Sequence, residues 1–161
     1  PDSGLLSRPT SQSVNESMNR SAADGLAYRV DGTGPDLILL HANPGDSQDF
    51  DPIVPALMRH YRVWRLDWPG YGGSPAPAQP QALQITDLIA ALDRFIQEQS
   101  LSRVCLLGNS VGGNVALRWG LAHPQQLAAL VRAGHDFDTA RALIDAASEQ
   151  EAEEWASDAG Y

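Results

Sequence analysis

The sequence has one cysteine, no long apolar run and no excess of positive charge. A single thiol, Cys105, cannot close an internal disulfide, so the fold has to stand on its own core. Cys105 lies in an apolar segment and is expected to be a buried, inert side chain. No apolar stretch approaches the ~18 residues that a membrane span needs. No charged-then-apolar secretory signal opens the chain, which begins at Pro1 rather than at methionine, and a cytoplasmic location is the expectation. The formal charge of −9 gives a nucleic-acid partner no electrostatic support. No internal repeat is present, and no cofactor or metal is expected.

What is there suits one globular domain. A chain of 161 residues with 43% hydrophobic residues can bury a core, taking perhaps ~70% of its unfolded surface out of water. The charge is uneven. Residues 136–161 carry eight acids and one base, whereas the other 135 residues carry 12 acids and 10 bases. Three regions follow: a Ser- and Asn-rich segment over 1–24 expected to be disordered, a core over 25–134, and an acidic, helix-prone tail over 135–161.

Within the core, Leu26 to Val30 alternates apolar and polar residues and reads as an edge strand, with a hairpin turn at Asp31 to Pro35. Asp36 to His41 is a continuous apolar run, the pattern of a strand covered on both faces. Phe50, Ile53, Val54, Leu57 and Met58 have helical spacing, with Pro52 and Pro55 near the start. Tyr61 to Asp67 reads as a strand, and a Gly/Pro loop extends to Pro80. Ile85, Leu88, Ile89, Leu92, Phe95 and Ile96 mark an amphipathic helix over 83–99. Ser102 to Leu107 and Gln126 to Val131 read as buried strands, separated by a helix that ends before Pro124. This alternation predicts an α/β fold with a doubly wound, mostly parallel sheet.

The stretch with chemical content is Gly108-Asn109-Ser110-Val111-Gly112, a G-x-S-x-G pattern between a strand and a helix. A serine hydroxyl is a weak nucleophile and has to project where a base and a carbonyl can both reach it. A sharp strand-to-helix turn achieves this, and it crowds the residues two before and two after the serine. Gly108 and Gly112 stand at those positions. The N–H of Val111, at the helix start, can donate to an oxyanion.

Three motifs in register resemble those of the α/β-hydrolase family. His41-Ala42-Asn43-Pro44-Gly45 resembles its H-G-x-P-G oxyanion loop, with Ala42 in place of the usual glycine. Asp67 to Ser74 resembles its D-x-P-G-x-G-x-S loop, and Gly108 to Gly113 resembles its nucleophile elbow. The resemblance covers residues 26–131 and implies the α/β-hydrolase fold, here truncated after the strand that follows the elbow helix. It implies a serine hydrolase acting on a small ester or related acyl substrate. Ser110 would be the nucleophile, and the N–H groups of Asn43 and Val111 would form the oxyanion hole. In related haloalkane dehalogenases an Asn at this place helps hold halide, but those enzymes use Asp as nucleophile, and Ser110 argues against that activity.

The family's order is serine, acid, then histidine near the C-terminus, and only 51 residues follow Ser110. Ala133-Gly134-His135 resembles the family's A-G-H, so His135 is the candidate base, with Asp136 or Asp138 as candidate acid. His41 reads as structural, and His60 and His123 as helix-terminal surface residues. Asp67 reads as loop-structuring, and Trp64, Trp68 and Tyr71 as packing residues. The alternative is a truncated or non-catalytic module with an incomplete triad, which binds a ligand or partner. The sheet would then be open beyond Val131, with self-association through that edge.

Overall fold

The computed structural model describes residues 19–20 and 25–133. Among these residues six strands form one sheet: β1 (Asn19–Arg20), β2 (Ala27–Asp31), β3 (Asp36–Leu40), β4 (Arg62–Leu66), β5 (Val104–Asn109) and β6 (Leu127–Ala133). Their order is β1-β2-β4-β3-β5-β6. The β4-β3-β5-β6 block is parallel, and β2 runs antiparallel beside β4. The helices are α1 (Val54–Leu57), α2 (Ile85–Glu98) and α3 (Val111–Ala122). The sheet is therefore the mostly parallel, helix-alternating one that the sequence predicts.

β3 lies in the middle of the parallel block, and its side chains explain its continuous apolar run. Ile38 and Leu40 join Trp64, Leu66, Phe95 and Trp119 on the face covered by α2 and α3. Leu37 and Leu39 join Phe50, Val54, Leu57 and Leu107 on the opposite face, under α1. Both faces of this strand are removed from water, as a central parallel strand requires. Cys105 is buried in the second cluster, as expected. α2 follows its apolar stripe, burying Leu88, Ala91, Leu92, Phe95 and Ile96.

Four expectations need correction. The turn at Asp31 to Pro35 is not a hairpin, because β2 and β3 lie on opposite sides of β4 and never pair. β2 is not the outermost strand: Asn19–Arg20, inside the segment expected to be disordered, pairs with it as β1. The helix expected from Phe50 splits into a 3-10 turn (Ser47–Phe50) and the single turn of α1. Pro52 and Pro55 lack the N–H groups that a continuous helix through this stretch would use. The last strand is half-buried rather than buried, since β6 is paired only with β5 among the described residues.

Candidate active site

β3 and β5 are hydrogen-bonded neighbours, yet their chains leave in opposite directions. From β3 the chain goes to α1 on one face and returns as β4; from β5 it goes to α3 on the other face and returns as β6. The carboxyl ends of two such strands bound a crevice, the usual place for a ligand in an open α/β sheet. Leu40 is in register with Gly108. The 41–45 loop and the Ser110 turn therefore emerge side by side at that crevice.

Ser110 has φ 52° and ψ −114° and stands exposed between β5 and α3. A non-glycine residue at this φ carries strain of about 1–3 kcal/mol that its surroundings must impose. They do so by close packing. A Cβ on Gly108 would run into the backbone of Gly112 and Gly113, and one on Gly112 would run into Leu40 and His41. Only glycine at both positions lets α3 start this near β5 and β3. The first turn of α3 carries no acidic residue, so its N–H groups and helix dipole present positive potential beside Ser110. The hydroxyl makes no capping bond to the helix.

The loops around this turn are held by buried polar groups. His41 is fully buried. Its Nδ1–H donates to the Ala42 carbonyl at 2.7 Å, and its Nε2 accepts the Trp68 N–H at 2.9 Å. Trp68 returns a bond from Nε1 to the His41 carbonyl at 3.0 Å. Burial pushes the His41 pKa below its ordinary value of 6.5, against a smaller opposing pull from the Ala42 carbonyl and Asp67. Both ring nitrogens are engaged, which confirms its expected structural place. Asp67, also fully buried, accepts the N–H groups of Ser47 at 2.7 Å and Gly73 at 2.9 Å. Ser74 donates its hydroxyl to the Asp67 carbonyl at 2.6 Å and accepts the Ala27 N–H at 2.8 Å. Gly72 leaves room for the Asp67 carboxylate and has φ +49°. The D-x-P-G-x-G-x-S stretch is thus a loop wound around its own aspartate.

The sequence-predicted residues fall into two groups. Asn43, exposed and joined to Pro44 by a cis peptide bond, lies in the loop that leaves β3 at Leu40, in register with Gly108 just before Ser110 and Val111. Its Oδ1 accepts from the Tyr71 hydroxyl; Tyr71 packs against the same cluster in which Trp64 and Trp68 are buried, as a packing residue should. His135, Asp136 and Asp138 lie outside the described residues; β6 ends at Ala133, in register with Asn109. The other histidines do not meet Ser110. His60 is exposed after α1, and His123 caps the far end of α3, stacked on Trp119 and 3.3 Å from Asp93. Sequence reading missed Asn109, which is buried with an Oδ1 that has no hydrogen-bond partner among the described residues. Its place within the G-x-S-x-G motif was the available signal. A groove of about 510 Å³ between the Pro75–Pro77 segment and α2, reaching Leu83 and Arg94, is separate from the crevice. Among the described residues no cluster of His, Cys, Asp and Glu could hold a metal ion.

A profile of the alpha/beta hydrolase fold matches residues 35–159. The chain belongs to that family. It is 38% identical over 100 residues to a pimeloyl-[acyl-carrier protein] methyl ester esterase of Aeromonas hydrophila, covering 62% of this chain and 37% of that one. A hydrolase from Pseudomonas aeruginosa superposes with a TM-score of 0.63 at 33% identity, covering 71% of this chain and 43% of that one. A marine microorganism esterase gives 0.63 at 28% identity, covering 67% and 41%. The chain thus spans well under half the length of these α/β-hydrolases.

Proposed function

We propose that the protein is a serine hydrolase acting on a small ester or related acyl substrate through an acyl-enzyme at Ser110. The observation that carries this reading is the exposed, strained Ser110, packed by two glycines against the 41–45 loop at the crevice. The esterases among its relatives support an ester as substrate. Ser110 Oγ attacks the carbonyl carbon and gives up its proton to a base. The N–H groups of Asn43 and Val111 hold the oxyanion, one such donor being worth ~3 kcal/mol in the transition state. The alcohol leaves with a proton, and water releases the acid and restores Ser110. His135 is the proposed base and Asp136 the proposed acid. No cofactor enters this scheme, and the location proposed is cytoplasmic; among the described residues no helix is long and apolar enough to cross a membrane.

One observation favours a second reading, a non-catalytic module that binds a ligand or partner. None of the three described histidines is placed to deprotonate Ser110: His41 is fully engaged, His60 is remote, and His123 lies thirteen residues on at the far end of α3, about 20 Å away. A fluorophosphonate probe separates the two. Labelling that is lost in Ser110→Ala supports the hydrolase, and His135→Ala should then abolish it. A folded protein that does not label is the non-catalytic module, and labelling unchanged in His135→Ala removes His135 from the mechanism.

A further inference from the structure

We propose, building on the serine-hydrolase reading, that the Tyr71 hydroxyl is a positioning group. By bonding the Asn43 side chain it fixes the tip of the 41–45 loop, and with it the Asn43 N–H that the hydrolase scheme places at the oxyanion. The rest of the loop is held at its two ends. At the start, His41 exchanges two bonds with Trp68, and its ring holds the Ala42 carbonyl. At the finish, Asp67 accepts the Ser47 N–H. Asp46 accepts the Gln48 N–H at 2.7 Å and donates its own N–H to the Asp49 carboxylate at 3.2 Å. Asn43 lies between these anchors and is exposed. The hydrogen bond described for its side chain comes from Tyr71, 28 positions along the chain. Gly45 keeps the span tight, since a Cβ there would lie 3.0 Å from the Ala42 carbonyl oxygen.

Tyr71 is itself a fixed post. Its N–H donates to the Trp68 carbonyl and its carbonyl accepts the Ser74 N–H, both at 2.9 Å. Ser74 is tied in turn to Asp67 and Ala27. Gly70 and Gly72, at φ 83° and 49°, make the bends that present Tyr71. The ring is half-buried against the core cluster and stands edge-on to His41, with centroids 5.6 Å apart and planes at 63°. A tyrosine side chain has only two χ angles, so holding its hydroxyl in place costs little entropy. Packing accounts for the ring, which a phenylalanine would supply equally well. It does not account for the hydroxyl, whose partner is a residue of the oxyanion loop.

Tyr71→Phe keeps the ring and removes only that hydroxyl. One neutral hydrogen bond shifts an equilibrium by about tenfold, so fluorophosphonate labelling of the full chain should slow about five- to tenfold, with the urea midpoint kept. Asn43→Ala, which retains the backbone N–H, should slow labelling equally. The double variant should lose no more, because both single changes delete the same bond. The 15N order parameter of the Asn43 amide reads the clamp without any activity. It should fall from about 0.85 toward about 0.6 in Tyr71→Phe. A Tyr71→Phe rate within twofold of wild type, losses that multiply in the double variant, or an order parameter that does not move overturns the proposal. A wild type that never labels refutes the hydrolase reading and the oxyanion role together, and the order parameter then decides whether Tyr71 fixes the loop.

Discussion

An alanine at position 112 has no room for its methyl group. Built on the native backbone, that Cβ lies 2.7 Å from the Leu40 carbonyl carbon and 2.9 Å from the His41 oxygen, and it meets the Leu40 oxygen more closely still. All are backbone atoms near the end of β3, the strand at the centre of the block, and the His41 oxygen is also held by Trp68. β3 cannot give way, so the start of α3 has to. Opening the 2.7 Å approach to an ordinary 3.4 Å contact moves it by about 0.7 Å, and the nearer Leu40 oxygen demands more. Over-packing of this kind costs typically 1–3 kcal/mol of stability. The larger effect falls on chemistry, because the shift carries the Val111 N–H and Ser110 away from the 41–45 loop. A misplacement near 1 Å can cost about a hundredfold in rate. The assay is the rate of fluorophosphonate labelling of Gly112→Ala beside wild type, with a urea melt to confirm that the variant is folded. A folded variant labelling within twofold of wild type would refute the claim that the helix start and the loop act as one site.

Other residues give sharper stability tests. His41 has a folded pKa below 6.5, so the unfolded chain binds more protons between the two values; stability is fully present above about pH 6.5 and declines as pH falls toward the lowered value. His41→Gln should flatten that part of the pH profile of urea unfolding, and an unchanged slope would assign it elsewhere. Asp67→Ala strands the Ser47 and Gly73 N–H groups and should cost about 3 kcal/mol by the same measurement. Arg65 is fully buried and paired with Asp31 at 2.9 Å and with Asp51. Asp31→Ala should therefore cost about 3–5 kcal/mol, well beyond an exposed pair.

The strands and helices were legible because burial imposes a period on the sequence. Uninterrupted burial marked β3, and a 3.6-residue stripe marked α2. The three loop motifs were legible because each needs glycine or proline at a fixed offset. What they hold in place was less legible. The Tyr71–Asn43 contact joins residues 28 positions apart, and the His41–Trp68 pair spans 27; a local pattern does not encode such distances. The false hairpin arose for the same reason, since a turn between two strands looks alike whether or not they pair.

By itself the sequence determined the alternation of strands and helices, the glycines that the Ser110 turn requires, and the identity of the exposed hydroxyl. These are local properties of backbone conformation and of side-chain period. Strand order was decided only in three dimensions, where β4 inserted between β2 and β3, and β3 came to lie against β5. That order makes the crevice, because it sends the chains after β3 and β5 to opposite faces. Which backbone groups face each other across a sheet is a property of pairing, and pairing joins segments whose separation in the chain carries no signal.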